Sequence, residues 1–180
     1  MKVLIAYGTT EGQTGKIVEW IAERLRERGQ DAEIFNTNSL HAELHLDAFD
    51  AVIIAASVHQ ERHQRSVSNF ATAHRAQLDG KPTAFISVSL SVALNKDQTE
   101  AKKYVDYFID KTGWQPGAVH LAAGAIRFSE YDYFKSQIVQ FTVMKGGGPS
   151  ATDKDHELTD WQAVGGFVDA FTEKAVSSCR

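Results

Sequence analysis

Cysteine is nearly missing from this 180-residue chain: Cys179, the penultimate residue, stands alone. A disulfide framework is therefore excluded, which fits a reducing compartment. Proline is scarce, at three residues, and no stretch approaches the roughly 18 consecutive apolar residues of a transmembrane helix. Nor is there an excess of charge. Nineteen basic side chains against 23 acidic ones leave a formal net charge of −4, which gives no bulk attraction for nucleic acid or a membrane surface. The apolar start at residues 3–7 is cut off by Gly8, Thr9 and Thr10. It is too short for a signal-peptide core, and the cytoplasm is the expected location. What remains is ordinary globular material, 43% hydrophobic and 23% charged. A chain of this length should bury about 70% of its unfolded surface and needs no structural metal. A single domain over residues 1–180 is expected.

The apolar period changes repeatedly along the chain. Residues 2–7 and 50–56 are short continuous runs, the pattern of strands buried on both faces. Residues 32–35, 82–88 and 118–125 read as further strands. Between them, residues 12–29 place Ile17, Val18, Ile21 and Leu25 on one helical face. Helices are also expected over residues 66–78, 97–111 and 159–175, the last with Thr159 and Gln162 as a capping box. Alternation of this kind predicts an α/β fold: a doubly wound five-stranded parallel sheet of order 2-1-3-4-5. Residues 40–49 are polar where a helix would be expected. Residues 127–150, rich in Phe and Tyr, read as a long insertion near the last strand.

In such sheets ligands sit beyond the carboxyl ends of the strands, where the order reverses. The first strand leads there into Gly8-Thr9-Thr10-Glu11-Gly12-Gln13-Thr14-Gly15. A P-loop would need Gly where Gln13 stands and Ser or Thr where Ile17 follows Lys16. A dinucleotide fingerprint would need G-x-G-x-x-G, whereas these glycines fall at 8, 12 and 15. Three threonines at a helix start, with its unpaired N–H groups and positive dipole end, suit a lone phosphate monoester.

The segment Tyr7–Thr14 resembles the FMN-phosphate loop of the flavodoxin family. The resemblance implies FMN as cofactor. Thr9, Thr10, Gly12, Gln13 and Thr14 would surround its phosphate, with Glu11 contributing its backbone. Ser57, Val58 and His59 after the third strand, and Ser87, Val88, Ser89, Leu90 and Ser91 after the fourth, would meet the isoalloxazine edge. Neither of those segments carries Trp or Tyr. A flavin face left uncovered has room for an organic substrate, which favours an enzyme over an electron carrier.

Over nearly the whole chain the sequence is similar to the menaquinone-dependent protoporphyrinogen IX dehydrogenases. The similarity rests on Gly12-Gln13-Thr14, Ala56-Ser57-Val58, Trp114-Gln115-Pro116, residues 123–128, Thr159-Asp160-Trp161 and the insertion. It implies oxidation of a porphyrinogen to a porphyrin, with electrons passing through FMN to a quinone, as in heme biosynthesis. Arg62, Arg65 and Arg127 are the candidates for the substrate propionates, by position and charge. Peripheral membrane contact through the insertion is part of the same expectation. Two alternatives stay open: a flavodoxin-type electron carrier and an NAD(P)H-dependent quinone reductase. No metal is expected, and no acid–base residue is singled out. His41/His45 and His59/His63 have a zinc-compatible spacing, but Glu stands one place too late for the zincin pattern, and all four read as surface residues. Trp114 and Trp161 read as packing residues, and the oligomeric state is open.

Overall fold

The apolar run behind Met1 becomes the centre of a parallel sheet. β1 (Lys2–Gly8) lies between β2 (Asp31–Asn36) and β3 (Ala51–His59), and β4 (Arg62–His63) folds back antiparallel on the end of β3. β5 (Thr83–Ser89) and β6 (Ala118–Ala123) extend the sheet beyond β3 in the order β2-β1-β3-β5-β6, all parallel. Without the two-residue β4, this is the expected 2-1-3-4-5 arrangement. The computed structural model describes residues 1–10, 12–39, 44–94, 98–126 and 156–178.

Strands buried on both faces need helices on both sides. α1 (Gln13–Glu27) and α6 (Trp161–Ser178) cover one face, where Ile17, Ile21, Leu25, Val164 and Val168 meet Val3, Ile5, Ile53 and Ile86. α2 (Arg65–Ala73), α3 (Arg75–Asp79) and α5 (Thr99–Thr112) cover the other, with Val67, Phe70, Leu78 and Phe108 against Leu4, Ile54 and Phe85. α4 (Ser91–Leu94) is a single turn behind β5. Trp114 is fully buried in the second cluster, so it is a packing residue. Each such large apolar side chain stabilises the fold by roughly 1.5–3 kcal/mol relative to exposure.

The structure corrects several expected boundaries. The helix over residues 66–78 is two helices. The chain breaks at His74, whose ring bonds Gln77 at 2.9 Å and whose ψ of 10° ends α2. The helix after residue 158 starts at Trp161, and Asp160 caps it by accepting from the Ala163 N–H at 2.9 Å. Thr159 therefore does not form the expected capping box. Of residues 40–49, the described ones from 44 onward include a 3₁₀ turn at Leu46–Ala48.

Three strand ends share the carboxyl edge: Gly8, His59 and Ser89. β1 connects outward to β2, whereas β3 connects to β5 on the opposite side, so the order reverses between β1 and β3. Gly8 lets α2 approach this point. A Cβ there would stand 2.6 Å from Val67 Cγ2. At the far end β7 (Ala125–Ile126) pairs antiparallel with β8 (His156–Glu157). The expected insertion falls between these two strands. Arg127, the aromatic residues of the insertion, Glu11, His41 and Cys179 lie outside the described residues.

Candidate functional site

The β1–α1 junction has the chemistry of an anion site. Gly12 takes a left-handed conformation, φ 86°, at the N-cap of α1, and no side chain caps that helix. Its first N–H groups have no acceptor within the helix and lie at the positive end of its dipole. Acidic side chains are absent from the first turn. Thr14 in that turn is fully buried, and its hydroxyl has no hydrogen-bond partner among the described residues. An orphaned buried hydroxyl is costly and calls for a partner. A phosphate monoester at the α1 N-terminus would accept from this hydroxyl and from the first-turn amides.

The neighbouring side chains shape the loop. The Thr9 hydroxyl accepts from the Gly12 N–H at 2.9 Å, closing a tight turn. The buried Gln13 amide is turned the other way. It donates to the Thr159 hydroxyl at 3.0 Å, which in turn donates to the Ala123 carbonyl at 2.9 Å. Gln13 thus offers the anion its backbone, and its side chain ties α1 to the approach of α6. Thr10 is exposed and accepts from the Gln64 amide.

Residues Ser57–His59 were expected in a loop and instead complete β3. Val58 pairs with His63 and His59 with Arg62, around a two-residue turn. Both turn residues, Gln60 and Glu61, have positive φ, 49° and 62°. Such a turn matches strand twist but favours Asn-Gly, so the sequence carried no hairpin signal here. The expectation that His63 is a surface residue is also corrected. It is 7% exposed, and its ring lies 5.1 Å from the rings of both Phe85 and Phe108. Its Nε2 bonds the Ser87 hydroxyl at 2.9 Å, while Nδ1 has no partner. Burial pushes its pKa down to about 3, so the ring is neutral.

Ser87–Ser89, expected after the strand, are instead its last residues, paired with β3 and β6. Ser87 and Val88 are buried, Leu90 is half-buried, and the Ser89 and Ser91 hydroxyls bond each other at 2.9 Å. Ser57 is buried and accepts from Gln64 at 3.1 Å. Three separated segments, at residues 9–14, 57–59 and 87–91, are thereby brought to one edge. Arg62 lies exposed over the Tyr107 ring, 4.4 Å from its centroid, and Arg65 is exposed at the start of α2. Sequence reasoning missed Gln64 and Tyr107, neither of which sits in a recognisable motif, and gave Thr159 a capping role in place of its bond to Gln13.

This fold and this carboxyl-edge junction define a flavodoxin-type domain, and the family model for the flavodoxin domain matches residues 4–153. The chain belongs to that family. Among curated relatives it is 29% identical over 169 residues to the protoporphyrinogen IX dehydrogenase [quinone] of Escherichia coli strain K12, covering 93% of each chain. It is 30% identical over 175 residues to the protein of that name from Leishmania major, covering 94% of this chain and 74% of the other. Among solved structures, the Fusobacterium nucleatum flavodoxin bound to flavin mononucleotide superposes with a TM-score of 0.53. That match has 16% identity and covers 96% of this chain and 98% of the other.

Proposed function

We propose that this chain is an FMN-dependent oxidoreductase that oxidises a porphyrinogen to a porphyrin and passes the electrons to a quinone. The observation that carries the cofactor assignment is Thr14, a fully buried hydroxyl without a partner among the described residues, in the first turn of a helix that no described side chain caps. The likeness to quinone-dependent protoporphyrinogen IX dehydrogenases over 93–94% of the chain supports the substrate class.

FMN, when bound, supplies a reversible two-electron acceptor. The remaining work belongs to the protein. The Thr14 hydroxyl and the α1 N-terminus would hold the phosphate, assisted by Thr9 and Thr10. The β3–β4 hairpin and the segment Ser87–Ser91 would stand beside the ring edge. Ser57–His59 and residues 87–91 contain no Trp or Tyr, which leaves space for a planar macrocycle. Arg62 and Arg65 stand outside the hairpin as exposed cations suited to carboxylates. Six electrons and six protons leave the porphyrinogen, and three quinones take two of each.

The test is anaerobic mixing of the FMN-loaded protein with protoporphyrinogen IX and a menaquinone analogue, read by porphyrin fluorescence. Porphyrin formation that needs both FMN and quinone is the expected result. Bound FMN with no porphyrin formed would reject the substrate assignment, and turnover driven by NADPH instead would favour a quinone reductase. Among the described residues no helix is long and apolar enough to cross a membrane, so contact with a quinone-bearing membrane is proposed as peripheral.

A further inference from the structure

His63 ends β4 and Gln64, the N-cap of α2, follows it; the two side chains go to different partners. His63 reaches across the sheet to Ser87 at the end of β5, 2.9 Å away. Gln64 reaches Ser57 on β3 at 3.1 Å and Thr10 on the phosphate loop. Each of the three segments at the carboxyl edge is therefore tied to this dipeptide. Between the dipeptide and β3 stands a turn with two non-glycine residues at positive φ. Backbone strain of that kind persists only where surrounding contacts over-determine it. Contacts that hold the hairpin include the buried His63 ring, fixed against Phe85 and Phe108, the Arg62 guanidinium over Tyr107 and the two bonds of Gln64.

We infer that His63 and Gln64 are positioning residues that preassemble the cofactor site, His63 acting through Ser87 on the ring end and Gln64 acting through Thr10 on the phosphate end. The burial of a neutral imidazole supports this assignment. A histidine with one orphaned nitrogen is a poor choice for packing alone, since leucine or phenylalanine would fill the space without a desolvated polar atom. Its other nitrogen instead fixes Ser87, a fully buried hydroxyl two positions before Ser89, and so anchors the end of β5 that leads into Leu90 and Ser91. Preorganisation of this kind raises affinity by lowering the ordering cost of binding.

The inference rests on FMN being the cofactor, and the experiment separates the two. FMN and riboflavin, which lacks the phosphate, are titrated by flavin fluorescence against the wild type, His63→Leu, His63→Gln, Ser87→Ala, Gln64→Leu and the His63→Leu/Ser87→Ala double variant. Urea midpoints of the apoproteins are measured alongside. His63→Leu should weaken FMN and riboflavin alike by about tenfold. His63→Gln, whose amide nitrogen can take the place of Nε2, should restore binding to within about twofold. The double variant should bind no more weakly than His63→Leu alone, the non-additivity expected of a residue acting through another. Gln64→Leu should lower the ratio of FMN to riboflavin affinity by about tenfold. Lowered urea midpoints with wild-type affinities in the folded variants would show a purely structural role and overturn the inference. So would additive effects of His63→Leu and Ser87→Ala. Should His63→Leu fail to fold, His63→Gln, Ser87→Ala and Gln64→Leu still decide the matter. A wild type that binds neither flavin would instead reject the cofactor assignment itself.

Discussion

The Gln13 amide donates to the Thr159 hydroxyl 3.0 Å away, across 146 positions of sequence. A side chain in the middle of an apparent phosphate loop is thus spent on joining the first helix to the last. Thr159 passes the connection on to the Ala123 carbonyl at the end of β6. Replacing Gln13 with Leu would leave the Thr159 hydroxyl without its donor and loosen α6 from the site. The expected outcome is a loss of about 1 kcal/mol of stability in urea denaturation. An unchanged midpoint would mean that this bond contributes nothing.

Thr14 should give effects of opposite sign on two measurements. Thr14→Val removes a buried hydroxyl that has no partner in the apoprotein. Such a group costs about 1–3 kcal/mol, so the apoprotein should be as stable as the wild type or more so. FMN affinity should nonetheless fall by about 1.5–3 kcal/mol, the value of a hydrogen bond to a charged group. Calorimetric unfolding and flavin titration of the same sample check both signs.

The hairpin turn offers a gain in stability. Glu61 holds φ 62°, a conformation that costs an L-residue roughly 1–2 kcal/mol and glycine almost nothing. Glu61→Gly should raise the urea midpoint by an amount worth about 1 kcal/mol, offset in part by the greater freedom of glycine in the unfolded chain. A lowered midpoint would show that the Glu61 side chain, and not the turn conformation, governs this position.

The buried His63 predicts a particular pH dependence. Burial holds its pKa near 3, below the ordinary 6.5. Between those values the unfolded chain carries a proton that the folded chain refuses. The stability contributed by the neutral ring is complete above pH 6.5 and is lost as pH falls towards 3, by up to about 1.4 kcal/mol per pH unit. His120 is also lowered by burial, partly opposed by Asp160, and acts in the same direction. Urea denaturation between pH 7 and 5 should therefore show a slope that is shallower in His63→Gln. The same slope in both proteins would place the titration elsewhere.

The sheet was legible because its strands are buried on both faces and punctuated by Gly and polar loops. The residues Leu4, Ile54 and Phe85 carry no competing pattern. The candidate anion loop could be proposed from the sequence because it is contiguous. What stayed hidden is whatever depends on contacts between distant segments. His63 reads as polar in HQERH, and only a two-residue turn without Asn or Gly brings it under Phe85 and Phe108. Tyr107 lies off the buried face of α5 and becomes a partner for Arg62 only when the hairpin crosses it. The break at His74 was hidden for a local reason: no Gly or Pro marks it.

The most direct test of the central claim compares FMN with riboflavin as ligands of the purified apoprotein. If the Thr14 hydroxyl and the α1 N-terminus grip the phosphate, FMN should bind about 100-fold or more tightly than riboflavin, the worth of two charge-assisted hydrogen bonds. That preference should shrink by about 10- to 100-fold in Thr14→Val. Equal affinity for the two flavins, or a preference that survives the substitution intact, would contradict it.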